Sequence, residues 1–274
     1  MSYFTSTHTK WLIRTNELLK TVDGKEVEVW ELQHQENDEA VLSEWAQHFR
    51  NHYCSDGKID ILRRGTGYSR SEYLNQVKFP DPENTLGRGV RSGDFGEILV
   101  ADFLEYLLGY WVPRTRHDDK RNRNSSPLGS DVLGFSFVSK DEISDKDELA
   151  IFEVKVNFSK QKKASHLQTA VKDSIKDDVR KGESLNAVKQ RLLERGEEVG
   201  AYKVARFQNK ADQPYDAVYG AVGLFDNTTF DNTVESSTDT SSHPHSDSLM
   251  LVVIKGKQML ELVRELYKRA ADEA

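Results

Sequence analysis

The stretch IFEVKV, residues 151 to 156, constrains the fold of this chain more than any other. Its apolar residues recur at every second position, which is typical of a β-strand. Glu153 and Lys155 share one face of this strand, whereas the phenylalanine and the valines between them form an entirely apolar second face. The charged face is costly to bury without partners. It therefore indicates either a surface strand with an ion pair or a strand that lines a polar site.

Apolar runs on both sides of this strand predict a mixed α/β architecture. A long helix is predicted in SGDFGEILVADFLEYLLGYW, with further helices over about residues 163–179 and 182–208 and at the C-terminus. Strands are predicted in SDVLGFSFV, DAVYGAVGLF and SLMLVVIKG, with a further short strand at Trp111 to Arg116. The order helix, strands, helices, strands, helix predicts a central mixed sheet flanked by helices.

A second, smaller domain is predicted before this core. The segment PDPENTLGRG carries two prolines and two glycines, so we place a boundary between an α+β domain of residues 1–85 and the main domain of residues 86–274. The first domain contains a predicted strand after a turn at Asp23-Gly24, and a helix capped by Asp38. In the main domain, the polar tract DNTTFDNTVESSTDTSSHPHSD predicts a mobile hairpin loop.

Composition excludes several classes of protein. The net charge is −7 over 274 residues, so nucleic acid is expected to bind only at a local basic patch. There is no run of about 18 or more apolar residues and no secretory signal, so we expect no membrane partner. Cys54 is the single cysteine, which fits a cytoplasmic location. The absence of a GxxxxGK[ST] motif excludes a P-loop ATPase.

His48, His52 and Cys54 are spaced almost like metal ligands. A structural zinc site needs a fourth ligand and an enclosing pair of loops, and the sequence offers neither. We therefore interpret these residues as part of a helix face.

Two further acidic residues stand on the elements before IFEVKV. Glu97 lies in the long helix, where a favourable charge near the helix N-terminus would be its ordinary role. Asp131 opens the preceding strand, so the order is helix, strand, strand, ending in Glu153 and Lys155 as E-x-K. On the stretches GDFGE, GSDVLGF and IFEVKV, this order resembles the PD-(D/E)xK nuclease superfamily, although residue 130 is serine where the motif has proline.

The resemblance implies a restriction-endonuclease-like core that hydrolyses phosphodiester bonds. In that fold, hard carboxylate oxygens hold Mg²⁺, with Mn²⁺ as a substitute, and the ion contacts the phosphate. Asp131 and Glu153 are the implied main ligands, with Glu97 and the carbonyl of Val154 as further ones. Lys155 is implied to orient or deprotonate the attacking water and to stabilise the developing charge. The candidate catalytic residues are thus Glu97, Asp131, Glu153 and Lys155.

Two basic clusters flank these residues in the sequence. They predict contacts to nucleic-acid phosphates, although an ordinary solvated loop would have the same composition. No pattern for reading base edges is recognisable, so we expect little sequence specificity. The candidate nucleic-acid-binding residues are Arg114, Arg116, Lys120, Arg121, Arg123, Lys160, Lys162 and Lys163.

The whole chain resembles the HamA family of nuclease subunits from Hachiman, a bacterial anti-phage defence system. The resemblance rests on the three motif stretches and on the roughly 85 residues that precede them. It implies a DNA nuclease that degrades DNA broadly and is regulated by a HamB-like helicase subunit. We expect residues 1–85 and the amphipathic C-terminal helix to supply the interface with that partner. Two alternatives remain: a stand-alone restriction- or repair-type endonuclease, and a non-catalytic interaction module on a nuclease scaffold.

Overall fold

A single mixed sheet organises the chain, whose computed structural model describes residues 4–118, 120–139, 142–159 and 164–274. The strands run in the spatial order β1-β3-β7-β6-β5-β4, with β2 paired to β3. The pairs β3–β7, β7–β6 and β6–β5 are parallel, and the pairs that involve β1, β2 or β4 are antiparallel. The strands of the described residues are β1 (Leu12–Arg14), β2 (Leu19–Lys20), β3 (Glu26–Leu32), β4 (Val132–Ser136), β5 (Glu148–Asn157), β6 (Asp216–Asp226) and β7 (Met250–Gly256).

Helices cover both faces of this sheet, so the predicted mixed sheet flanked by helices is confirmed. Helices α1, α4 and α9 share one apolar core with the sheet, and helices α5, α6 and α7 share the other. The helices of the described residues are α1 (Glu39–Tyr53), α2 (Ile59–Leu62), α3 (Arg70–Tyr73), α4 (Thr85–Asp102), α5 (His166–Ser174), α6 (Asp177–Glu194), α7 (Glu198–Ala205), α8 (Asn232–Ser236) and α9 (Met259–Asp272).

Helix α4 lies close against β5 because a glycine stands at the contact. A Cβ atom built on Gly96 would lie 2.5 Å from Cγ2 of Val156 and 3.3 Å from Cγ1 of Val154. Both valines are on the apolar face of β5, as their alternation predicts. The missing side chain therefore brings the helix that carries Glu97 down onto the strand that carries Glu153.

The first 85 residues add to the same sheet and core. Strand β3 pairs with β7, and α1 packs against α9. The predicted turn and cap are both present, since Gly24 has a φ of 87° and Asp38 Oδ1 accepts from the N–H of Val41. The proposed boundary at residues 85 and 86 falls in the first turn of α4, and the division into two domains stays a prediction.

The polar tract between β6 and β7 differs from its prediction as a mobile hairpin loop. Because β6 and β7 are parallel, the tract is a crossover connection rather than a hairpin. It also packs, because Glu235 is buried and its Oε2 accepts from Ser165 Oγ at 2.7 Å and from the N–H of Leu167 at 3.0 Å. The composition misled because the polar groups of the tract bind the start of α5.

Two smaller predictions also need correction or comment. The short strand at Trp111 to Arg116 reduces to one bridge between Trp111 and Phe135. The apolar face of α9 is present as expected, but it is covered by α1 and the core, so it is not free for a partner. Among the described residues, no helix combines the length and the apolar character that a membrane span requires.

Candidate active site

Strand β5 has neighbouring strands on both sides along its first half, but on only one side along its second half. It pairs with β6 over its whole length, but β4 pairs only with residues 148–152. Asp131 directly precedes β4. Where the ladder between β4 and β5 ends, its Oδ2 accepts a hydrogen bond from the N–H of Val154 at 3.0 Å, in place of a backbone partner. The N–H and C=O of one strand residue point to the same side, so the Val154 carbonyl faces this free edge too.

Glu153 and Lys155 lie beyond the end of β4, on the face that α5 and α6 cover. Lys155 pairs with Glu153, and its Nζ lies 2.9 Å from Oδ2 of Asp173 on α5. Glu153 is 3% exposed, and its second oxygen, Oε2, has no hydrogen-bond partner among the described residues. The strand is therefore not a surface strand with a solvated ion pair, because its carboxylate is buried and only half paired.

Glu97 reaches the same edge from the opposite layer. It lies in the second half of α4, so it is not a charge at the helix N-terminus. Arg116 joins it to Asp131, since the guanidinium contacts Glu97 Oε2 at 2.5 Å through Nε and Asp131 Oδ1 at 2.8 Å through Nη2. Its Nη1 also donates to the carbonyl of Ser130 at 2.6 Å. All four predicted catalytic residues thus meet at one edge of the sheet, but a guanidinium stands between Glu97 and Asp131.

The ionisation of the site follows from burial and from neighbouring charges. Burial and the charge of Asp131 raise the pKa of Glu153 to about 7, against the opposing effect of Lys155. Burial alone would lower the pKa of Lys155, but its hydrogen bonds to Glu153 and Asp173 outweigh this and raise that pKa. Burial raises the pKa of Glu97 as well, while Arg116 opposes the rise. Lys155 therefore remains a protonated cation, and it lies beside a carboxyl group whose ionised form is destabilised by burial.

The distances between possible ligand atoms do not bring all of the predicted metal ligands together in one group. Two groups of described residues bring three ligand atoms within 4.8 Å of one another, namely Asp94–Glu97–His117 and His8–His48–Asp102; the set Glu97, Asp131 and Glu153 is not among them. The reason is Arg116, which occupies the space between Glu97 and Asp131. Oε2 of Glu153 has no hydrogen-bond partner among the described residues, and a carboxylate oxygen is a hard donor that suits Mg²⁺ or Mn²⁺.

An open cleft of about 1480 Å³ contains the site. Its floor includes Glu97, Arg116, Asp131, Glu153 and Lys155. Its walls come from α4, α6 and α9, and they carry Arg88, Arg180 and Arg264. Arg180 and Arg264 line this cleft and form no ion pair with another described residue, although the charge of Arg180 acts to lower the pKa of Asp177.

Three of the predicted nucleic-acid-binding residues, Arg114, Lys120 and Arg123, form ion pairs within the fold. Arg114 is buried and pairs with Asp102 at 2.6 Å and with Glu105. Lys120 pairs with the buried Asp94, and Arg123 Nη2 lies 3.1 Å from Oδ2 of Asp81.

Arg114 and Lys120 neutralise the buried carboxylates of Asp102 and Asp94, which a count of basic residues could not reveal. Arg116 lies on the floor of the cleft within its ion pairs, and Arg121 is exposed. Lys160, Lys162 and Lys163 lie outside the described residues.

Two acidic residues of the site were missed by the sequence argument. Asp173 near the end of α5 pairs with Lys155, and Asp177 begins α6 over the same face of β5. The signal was the break DSIKDD between two helices that directly follow the E-x-K strand. This aspartate-rich junction between two helices indicates further site residues only after the charged face of the strand has itself been interpreted as a site.

The histidines near Cys54 lie on a helix face, as predicted, and this face of α1 is buried within a hydrogen-bonded network. Oxygens of Asp102 contact His8 Nε2 at 2.8 Å and His48 Nε2 at 3.0 Å, and Arg114 donates to His52 Nε2 at 2.9 Å. His48 Nδ1 accepts a backbone N–H, so its proton is assigned to Nε2 and donated to Asp102. Arg114 already supplies the positive charge that a metal ion would bring, so the network is interpreted as structural.

Comparison with known proteins places the chain in one family. The family model for HamA matches residues 6–270 of the 274. No curated protein matches the chain. Because the family match spans almost the entire sequence, the chain belongs to the HamA family, whose members are proteins of the Hachiman anti-phage defence system.

Proposed function

We propose that this protein is a metal-dependent DNA nuclease with a PD-(D/E)xK core. The observation that carries the proposal is the free half of β5, where Glu153 and Lys155 lie beside Asp131 on the floor of an open cleft. Glu153 is buried there with an oxygen that lacks a partner among the described residues, which destabilises the fold unless a bound ion or water satisfies that oxygen. Family membership supports the proposal, since the protein then acts in defence against phage.

The residues have distinct roles in this proposal. A bound divalent cation would supply charge stabilisation at the phosphate and a more acidic water. Asp131 and Glu153 hold the ion, with the Val154 carbonyl at the same edge. Because its neighbours raise the pKa of Lys155, the ammonium group positions the water and stabilises charge on the phosphate, and it does not act as a base.

The cleft supports a nucleic-acid substrate bound through its phosphates. Arg180 on α6 and Arg264 on α9 both line the cleft that contains the carboxylates. Phosphate contacts fix the position of a duplex but carry no sequence information. We therefore propose cleavage of DNA with little sequence specificity, by residues at the floor and with arginines at the walls.

Regulation by a HamB-like helicase is the second part of the proposal. The apolar face of α9 is buried, so the partner must use other surfaces. Ile13, Leu18 and Val22 in the N-terminal region expose 44%, 85% and 66% of their surface, respectively. Ile13 lies on β1, and Leu18 and Val22 lie just before and just after β2. Exposed apolar side chains in this segment are a candidate for a protein interface.

Cleavage of plasmid DNA by the purified protein tests the function. We expect degradation in Mg²⁺, none in EDTA, and loss of cleavage in Lys155→Ala. The matched control is Lys172→Ala, an exposed lysine on α5, which should cleave as the wild type does. Thermal melts of both variants show whether each is folded.

The same assay separates the alternatives. Suppression of cleavage by the helicase subunit supports regulation, whereas discrete fragments that do not change with the partner support a stand-alone endonuclease. Absence of cleavage from folded protein under all these conditions would refute the nuclease and favour the interaction module.

A further inference from the structure

Asp173 lies near the end of α5, and its carboxylate contacts the ammonium group of Lys155 on the floor of the cleft. Oδ2 of Asp173 lies 2.9 Å from Nζ of Lys155. In the part of the chain that the structure describes, Glu153 is the other carboxylate that pairs with this ammonium group. A lysine carries its charge on a flexible four-carbon stem, so its partners decide where the charge lies. Lys155 is therefore positioned from two elements, its own strand and helix α5.

The proposed reaction affects these two partners differently. Glu153 is a ligand of the divalent cation in the proposed mechanism, and a bound cation draws negative charge from its ligands and repels a nearby ammonium group. The contact between Glu153 and Lys155 therefore weakens when the cation binds. Asp173 is outside the proposed ligand set, so its charge stays available to hold Lys155.

Helix α5 is a fixed support for Asp173. Leu167 and Val171 of this helix are buried in the core that α5 shares with the sheet. At the end of the helix, the hydroxyl of the buried Ser174 contacts Nε2 of His243 at 3.1 Å. A carboxylate on a packed helix positions its partner better than one on a loop, because its own location does not depend on that single contact.

The ordinary roles of an aspartate in a helix do not account for Asp173. It is the last residue but one of α5, where a negative charge interacts unfavourably with the helix dipole. No side chain caps the next helix, α6, so Asp173 is not a capping residue either. Lys176 pairs with Asp173 as well, but this lysine is exposed, and exposed pairs of this kind contribute little to stability. The contact with Lys155 is the one that points into the site.

The neighbouring aspartates of the helix junction do not share this contact. Asp178 accepts from Tyr219 at 2.5 Å and contacts Nε2 of His245 at 2.9 Å. Asp177 forms no ion pair with another described residue. Asp173 is therefore the aspartate of this junction that acts on Lys155.

We propose that Asp173 is a positioning residue of the nuclease, which holds the ammonium group of Lys155 in place while Glu153 binds the cation. The inference rests on the proposed function and adds to that same site a residue that the E-x-K motif does not include. Asp173 acts through Lys155 and contacts neither the cation nor the DNA. Its loss therefore slows the chemical step and leaves DNA binding unchanged.

Single-turnover cleavage of a DNA duplex in Mg²⁺ tests this role on the full chain, with DNA binding measured in Ca²⁺ by fluorescence anisotropy. Asp173→Asn should lower the cleavage rate at saturating protein by at least about tenfold and change the Kd for DNA by less than about threefold. Asp173→Glu restores the charge and should recover part of the rate. The control is Asp178→Asn, which removes a carboxylate of the same junction with other partners and should cleave as the wild type does.

A wild-type cleavage rate in Asp173→Asn would overturn the proposal. A loss of DNA binding as large as the loss of rate would also overturn it, because Asp173 would then act on DNA binding rather than through Lys155. Thermal melts check the fold of each variant. If Asp173→Asn does not fold, Asp173→Ser takes its place with the same expected loss of rate.

The motion of Lys155 provides a readout that does not depend on cleavage. Nuclear magnetic resonance of the lysine side chains in Mg²⁺ should show a more restricted Lys155 in the wild type than in Asp173→Asn, and Lys155→Arg identifies the signal. Equal motion in both proteins would overturn the role of Asp173 whether or not DNA is cleaved. If Asp173 restricts Lys155 but the wild type never cleaves DNA, the nuclease proposal has failed, and Asp173 is a structural partner of Lys155 only.

Discussion

Replacement of Glu153 by glutamine should stabilise the metal-free protein at alkaline pH while it abolishes cleavage. The carboxylate is buried, and burial together with Asp131 raises its pKa from an ordinary 4.5 to about 7. The folded protein therefore holds a proton on Glu153 in a pH range where the unfolded chain has released it. Stability contributed by this group is lost as the pH rises from about 4.5 to about 7.

The size of the effect follows from the shift. One pKa unit corresponds to about 1.4 kcal/mol, so ionised Glu153 destabilises the folded state by about 3 kcal/mol at pH 8 and by about 1 kcal/mol at pH 5. The effect of Lys155 is already contained in the shifted pKa, and the amide oxygen of glutamine can still accept a hydrogen bond from its ammonium group. Glu153→Gln should thus be more stable than the wild type by about 1 kcal/mol at pH 5 and by about 3 kcal/mol at pH 8.

Urea unfolding in EDTA at pH 5 and pH 8 measures this difference. Glu194→Gln, an exposed change on α6, serves as the control and should show the same stability as the wild type at both values. If Glu153→Gln lowers stability equally at pH 5 and pH 8, burial does not destabilise the ionised carboxylate, and the reasoning from its burial is refuted.

Three further predictions concern the helix contact, the buried network and the cleft. Gly96→Ala should lower the free energy of unfolding by about 1–3 kcal/mol, because the added Cβ would meet β5. Gly93→Ala has open space around it and should be neutral or stabilising by up to about 1 kcal/mol. Urea unfolding measures both, and equal effects of the two substitutions would contradict the contact. Asp102→Asn should lower the free energy of unfolding by about 3–5 kcal/mol at pH 7 and by less near pH 3. The reason is that the cationic partners of Asp102 outweigh its burial and hold its pKa well below the ordinary value. A loss of stability that does not change with pH in calorimetry would contradict this. Arg180→Ala and Arg264→Ala should each weaken DNA binding and reduce its salt slope by about 1, and an unchanged slope in fluorescence anisotropy would remove them from the DNA path.

Local periodicity predicted the elements and their faces well. The two faces of β5, the helix capped by Asp38 and the apolar stripe of α9 all depend on residues within a few turns or strand positions of one another. Sequence order also indicated that Glu97, Asp131, Glu153 and Lys155 would meet, although each alone had an ordinary interpretation. The polar tract was misjudged because its binding partners lie on α5, far away in the sequence.

The charge pairs could not be predicted in the same way. Arg114, Arg116 and Lys120 lie in one basic stretch, and its composition is the same whether it faces DNA or buried carboxylates. Which of these applies depends on where α4 and the loop after it pack. Asp177 was likewise indistinguishable from its neighbour Asp178, whose partners satisfy it fully.

The sequence by itself determined the strand, its charged face and the family, because these rest on local spacing and on residue identity. Only the tertiary structure decided that β4 ends before Glu153, and so gives β5 a free edge where Asp131 binds the backbone of Val154. It also decided that Arg116 lies between Glu97 and Asp131. Strand register and helix packing bring together residues that are distant along the chain, and electrostatic energies depend on those distances rather than on sequence order.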